Sequence, residues 1–162
     1  LPWMGVGTAG LASDDVVTGD LTVLKFNSAG AIRSAEGAST TVEPLVTTSA
    51  EAAMLPVADL QFEPDPVRIL ADFTPGKEPM TIAARVSGPI KSAFPDGPPE
   101  AVADEEGLAE AHIAESEAPL NLILVADADL LADRNWVRQQ GLLGASFIVP
   151  VASNGDFAVA TK

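Results

Sequence analysis

The chain has 162 residues, enough for one domain with a real core, and it has no cysteine, which removes disulfides, thiolate metal sites and cysteine nucleophiles together. Its net charge of −14, from 23 acidic against nine basic residues, repels phosphate backbones and anionic lipid, so nucleic acid is not an expected partner. No run of about 18 apolar residues is present and the first residue is Leu1 rather than Met, so the sequence reads as a cut or processed segment with any membrane helices expected outside it.

Residues 1–15 are glycine-rich, lack periodicity, and read as an irregular lead-in. Leu21 to Phe26 is the first predicted strand, punctuated by Asn27-Ser28-Ala29-Gly30. Thr40 to Thr48 is the second, with Pro44 arguing for an edge or a bulge. Asp65-Pro66 predicts a helix start: Asp can accept from the first free N–H groups, and Pro at the first helical position lacks only an N–H that would be orphaned anyway. Val67, Leu70 and Phe73 give that helix an apolar stripe, and Pro75-Gly76 ends it. Met80 to Val86 is the third strand, with Ile90 to Phe94 as its candidate continuation.

Residues 95–119 hold eight acids and no Lys or Arg, and predict an acidic mobile loop within the domain, with a frayed helix around 101–114. Leu120 to Ala126 is nearly all apolar, the pattern of a strand covered on both faces. Asp133 then predicts the cap of a helix carrying Trp136, Gln140 and Leu143, with Gly144 as its stop. Phe147 to Val151 is a short apolar stretch, and Asn154-Gly155-Asp156 opens a last helix. This alternation predicts one α/β domain over residues 1–162, layered, with a mixed or largely parallel sheet.

Gly5-Val6-Gly7-Thr8-Ala9-Gly10 matches G-x-G-x-x-G literally. A pyrophosphate site needs a strand before that motif and a helix N-terminus after it, whereas only four residues precede it and Leu11 to Asp15 is a poor helix, so no cofactor is expected. Asp127, Asp129 and Asp133 lie at the C-terminal end of the best strand, where open α/β sheets bind ligands, and oxygen ligands at this spacing suit Ca²⁺ or Mg²⁺. The alternative is that Asp133 caps the helix and the others brace the loop through backbone amides. The calcium-loop Gly and distal Glu are missing, so no metal ligand is assigned. His112, the one histidine, reads as a solvated loop side chain. No G-x-S-x-G and no nucleophile–base pair is visible, so the chain reads as a non-enzyme. Trp136 and Phe147 read as core or interface anchors.

Several strings together carry a family resemblance: Leu1-Pro2-Trp3-Met4, Asp15-Val16-Val17-Thr18, Asn27-Ser28-Ala29-Gly30-Ala31, Pro44 to Ser49, Lys91 to Gly97, Val125 to Asp133, and Asn154-Gly155-Asp156-Phe157. In this order they resemble the soluble region of GldG-like (gliding-motility type) auxiliary proteins of ABC-type uncharacterised transport systems. The resemblance implies a flavodoxin-like or glutamine-amidotransferase-like α/β layer fold, of which this chain would be the C-terminal part. It implies a location outside the cytoplasmic membrane, anchored by segments beyond this chain, and a non-enzymatic role beside permease and ATPase subunits. Amidotransferase chemistry needs a Cys nucleophile that this chain lacks. Asp127, Asp129 and Asp156 are the candidate ligand-binding residues, from their place in the recurring strings. An exposed sheet edge makes a second copy a further candidate partner. The alternative function is a small-ligand or divalent-metal-binding α/β domain using the strand-end aspartates.

Overall fold

The computed structural model of the chain describes residues 3–61, 64–99, 107 and 110–162. They form β1 (Trp3–Gly7), a single 3-10 turn (Thr8–Gly10), β2 (Val23–Asn27), β3 (Thr41–Thr47), α1 (Val57–Leu60), α2 (Pro66–Ala71), β4 (Thr81–Gly88), β5 (Leu120–Val125), α3 (Asp133–Trp136), β6 (Val137–Leu142), β7 (Ala145–Pro150) and α4 (Asn154–Ala160). The strands pair as β1-β2, β3-β4-β5 and β6-β7. The chain divides into two compact units, and the division falls within β3, β4 and β5.

The first unit comprises residues Leu1–Arg33, Pro44–Ala84 and Leu124–Lys162, and all the buried apolar side chains of the described residues lie in it. In β2, Leu24 and Phe26 are buried and alternate with half-buried Val23, Lys25 and Asn27, the period of a strand with one face on the core. Leu45 and Val46 of β3 and Ile82, Ala83 and Ala84 of β4 add to that core, with Leu130 and Phe157. β1 runs antiparallel to β2, with Trp3 opposite Asn27 and Gly7 opposite Val23. The lead-in is tied down by an N–H donated from Ala12 to the Leu45 carbonyl at 3.0 Å. α2 starts as its sequence dictates: Asp65 Oδ1 accepts from the N–H groups of Val67 (2.9 Å) and Arg68 (3.2 Å), with Pro66 at the first helical position.

The second unit comprises Ser34–Glu43 and Arg85–Ile123. Within it the Ser92 N–H donates to the Ala114 carbonyl at 2.8 Å and the Ser116 N–H to the Ile90 carbonyl at 2.9 Å, bracketing an antiparallel bridge between Lys91 and Glu115. Ile90 to Ser92 thus carries on beyond β4, as the sequence suggests. Residues 100–106, 108 and 109 of the acidic mobile loop expected over 95–119, and with them most of the frayed helix expected around 101–114, lie outside the described residues; the described residues 110–119 hold no helix.

Strands and helices are both present, but four expectations are corrected. The sheets are small and antiparallel, not largely parallel, and so do not supply the parallel strands of a flavodoxin-like or amidotransferase-like layer. The apolar run in β5 misleads because β5 is an edge strand: Leu122 and Leu124 are exposed rather than covered. The helix expected from Asp133 to Leu143 lasts four residues. From Val137 the chain turns into the β6-β7 hairpin, and Gly144, at φ 81°, is a turn residue rather than a helix stop. The lead-in is likewise not irregular throughout, since Trp3–Gly7 is β1.

Candidate functional site at the end of β5

The loop after β5 brings Asp127 and Asp129 beside β2, all within the first unit. Asp127 Oδ2 accepts the Asn27 N–H at 2.7 Å, and Asp127 Oδ1 accepts the Asp129 N–H at 2.7 Å. Asp129 Oδ1 lies 2.7 Å from the Arg134 guanidinium. Each aspartate is thereby held by this chain's own donors, and the nearby Arg134 charge opposes a second cation. Asp133 is not the cap of α3: Ala132 holds that position without a side-chain hydrogen bond, and Asp133 sits in the first turn. Asp156 is exposed on the first turn of α4 and forms no metal-holding group with the other two. Among the described residues no group of three His, Cys, Asp or Glu side chains could hold a metal ion.

The neighbour of Asp156 is the residue that reaches inward. Asn154 is fully buried; its Oδ1 accepts the Lys25 N–H at 2.9 Å, and its Nδ2 donates to the carbonyls of Lys25 and Leu130, both at 2.7 Å. The Ser153 N–H donates to the Val23 carbonyl at 2.9 Å. Val23, Lys25 and Asn27 are the alternate residues of β2 on the side away from β1. All three are therefore engaged by Ser153, Asn154 and Asp127, which close that strand edge without another strand. Gly155 follows because a Cβ there would stand 2.8 Å from the Trp136 ring. Trp136, half-buried, donates its Nε1–H to the Leu131 carbonyl at 3.2 Å. The buried Asn135 donates to the Asp129 carbonyl and completes the brace.

The glycine motif also resolves into packing. Gly5 and Gly7 are inside β1, and Gly10 ends the 3-10 turn against β3, where a Cβ would clash with the Thr47 carbonyl oxygen and the Val6 side chain. There is no helix of useful length to present amides to a phosphate. Beside the motif lies a cleft of about 430 Å³ lined by Met4, Val6, Gly10, Thr47, Ser49, Leu55, Ile69, Leu70 and Phe73, with no charged residue among the described lining. Sequence reasoning missed this cleft. Its signal was in the Val67, Leu70 and Phe73 stripe: α2 ends at Ala71, short of the expected Pro75-Gly76, and Leu70 and Phe73, which line the cleft, stay 60% and 40% exposed instead of entering a core.

His112 is half-buried rather than fully solvated, and lines a small recess with Phe94, Pro98, Pro99 and Ile113 in the second unit. Among the described residues its Nε2 is shielded from solvent without a hydrogen-bond partner.

No curated protein and no solved structure matches the chain. The family model described as ABC-type uncharacterized transport system matches residues 1–161, and the chain belongs to that family.

Proposed function

We propose that this chain is part of the soluble, extracytoplasmic region of an auxiliary subunit of an ABC-type transport system, of the gliding-motility type, that accompanies permease and ATPase subunits and acts by contact with a protein partner or the transported substrate rather than by catalysis. Family membership over residues 1–161 supports the transport setting. The observation that carries the contact role is the division of labour between polar and apolar side chains in the first unit. Its buried polar groups at the β5 end hold the chain's own backbone, whereas Met54, Val57, Val67 and Leu70 are each more than half exposed. Exposed apolar side chains on and beside α1 and α2, with Leu70 lining the cleft, on an otherwise strongly acidic protein suit a protein partner. Among the described residues no helix is long and apolar enough to cross a membrane, so the proposed anchoring lies in segments other than these.

The alternative, a small-ligand or divalent-ion site on Asp127, Asp129 and Asp156, draws less support from the geometry. Asp127 already accepts two backbone N–H groups, and among the described residues no three such side chains group to hold an ion.

The test is to tag the full-length parent protein, solubilise membranes in mild detergent, and identify the co-purifying chains by mass spectrometry. Near-stoichiometric recovery of an ABC ATPase and a polytopic permease is the expected result. A parent that stays soluble and retrieves neither overturns the proposal.

A further inference from the structure

We infer that the outer edge of β7 is a self-association surface, on which two copies of this chain pair antiparallel to make a four-stranded sheet from two β6-β7 hairpins. The hairpin is a two-stranded sheet of its own: among the described residues β7 pairs only with β6. Two-stranded ribbons are marginal alone in water, and natural edges are blunted with charges, proline, bulges or a covering segment. The first unit shows such protection at β2, whose free edge is closed by Ser153, Asn154 and Asp127. Among the described residues the β7 edge has none of it over Ser146, Phe147, Ile148 and Val149. Phe147 and Ile148 are 51% and 71% exposed.

Register fixes which groups face outward. The connection is the two-residue turn Leu143-Gly144, both at positive φ, so Leu142 and Ala145 form the closing hydrogen-bonded pair. Alternation along the ladder then makes Gln140–Phe147 and Arg138–Val149 hydrogen-bonded pairs, and leaves the N–H and C=O groups of Ser146 and Ile148 pointing away from β6. A two-fold axis through Phe147 sets Ser146 of one copy opposite Ile148 of the other, and the reverse, for four backbone hydrogen bonds. The two Phe147 side chains then meet as a non-hydrogen-bonded cross-strand pair, the closer kind.

Charge singles out this segment as the place where two copies can meet. Two chains of net charge −14 repel over most of their surfaces, but residues 134–155 contain no acid and two arginines, Arg134 and Arg138. Hairpin on hairpin is therefore an approach that brings no carboxylate against another. A lipid bilayer suits the segment less well, because the unpaired edges of an open ribbon are costly in hydrocarbon. The interface is small, so the dimer should be weak and visible only at high micromolar concentration.

The experiment uses the 162-residue chain and its freedom from cysteine. Sedimentation equilibrium up to about 500 μM should show the mass rising from 16.6 kDa toward twice that value. Under mild oxidation Phe147→Cys should give a disulfide-linked dimer many-fold faster than Leu143→Cys, although Leu143 is 99% exposed. Ile148→Pro, which removes one outward N–H, and Ile148→Lys should each abolish the mass increase while leaving the circular dichroism spectrum unchanged. Should the proline variant misfold, the two cysteine variants still decide. A mass of 16.6 kDa throughout, equal cross-linking at both positions, or a dimer indifferent to Ile148→Lys overturns the inference. So does a monomer that floats with phosphatidylcholine vesicles and loses flotation with Leu143→Asp, which would assign the hairpin tip to lipid.

Discussion

The side-chain amide of Asn154 holds both backbone groups of Lys25, accepting its N–H at 2.9 Å and donating to its carbonyl at 2.7 Å. A side chain thus does for Lys25 what a neighbouring strand would do, and the same Nδ2 also reaches the Leu130 carbonyl. Because Asn154 is fully buried, water cannot substitute for it. Replacing it with Ala leaves two carbonyls and one N–H without partners, at a cost of about 3 kcal/mol or more. The expected result is a fall in Tm of roughly 6–12 °C, read by circular dichroism. Asn154→Asp should be at least as damaging, since its second oxygen would face the Lys25 and Leu130 carbonyls.

Asp127 is the second closure of the same edge. Asp127→Ala strands the N–H groups of Asn27 and Asp129, and should destabilise by about 2 kcal/mol. If Asp127 braces the loop instead of binding a cation, 10 mM Ca²⁺ or Mg²⁺ at constant ionic strength leaves the Tm of the unaltered chain where it was. A rise of several degrees would show a metal site.

Two glycines of the G-x-G-x-x-G string separate packing from phosphate binding. Gly10→Ala drives a Cβ into the Thr47 carbonyl oxygen, a backbone atom that cannot turn aside, and should cost about 2 kcal/mol or more. At Gly7 the nearest atom to an added Cβ is the Thr22 carbonyl oxygen at 3.9 Å, so Gly7→Ala should be far milder. Thermal unfolding of both variants gives the contrast. Millimolar ATP or NAD should shift neither the parent chain nor Gly7→Ala.

Asp65 accepts two N–H groups at the start of α2, so Asp65→Ala should cost about 1 kcal/mol. The loss should be local. Hydrogen exchange should quicken over Pro66–Ala71 and leave β2 and β4 as protected as before.

Leu143 occupies the left-handed region at φ 52° with its side chain 99% exposed, in a turn where Asn is preferred. Leu143→Asn should therefore leave the fold intact and stabilise the monomer by roughly 0.5–1 kcal/mol in urea unfolding.

Much of this was legible in the residues. The span Leu21 to Phe26 overlaps β2, Thr40 to Thr48 encloses β3, Asp65-Pro66 opens α2, and Asn154 opens α4, because alternation and capping act within a few residues. Pro44 argued for an edge or a bulge, and β3 lies at the edge of its sheet. Strand direction was not legible: it depends on which distant segments pair, and the apolar run of β5 has the same composition whether both faces are covered or one is open. The helix expected after Asp133 failed because Val137 to Leu142 carries no apolar alternation to mark a strand, and the Leu143-Gly144 turn sets the hairpin instead. At the β5 end the resemblance picked out Asp127 and Asp156, but whether a polar side chain turns inward, as Asn154 does, or outward, as Asp156 does, depends on partners more than 100 residues away.

That separation carries a consequence for biosynthesis. β2 finishes at Asn27, but the asparagine that closes its edge comes 129 residues after Lys25. At typical elongation rates of about 5–20 residues per second, the interval is on the order of ten seconds. Throughout it the nascent chain holds a finished strand with a bare row of hydrogen-bonding groups and the apolar Leu24 and Phe26 beside it. Neighbouring nascent chains on one messenger could pair through that row before Asn154 emerges, so translation speed and early chaperone capture should govern the soluble yield more than the stability of the finished molecule does.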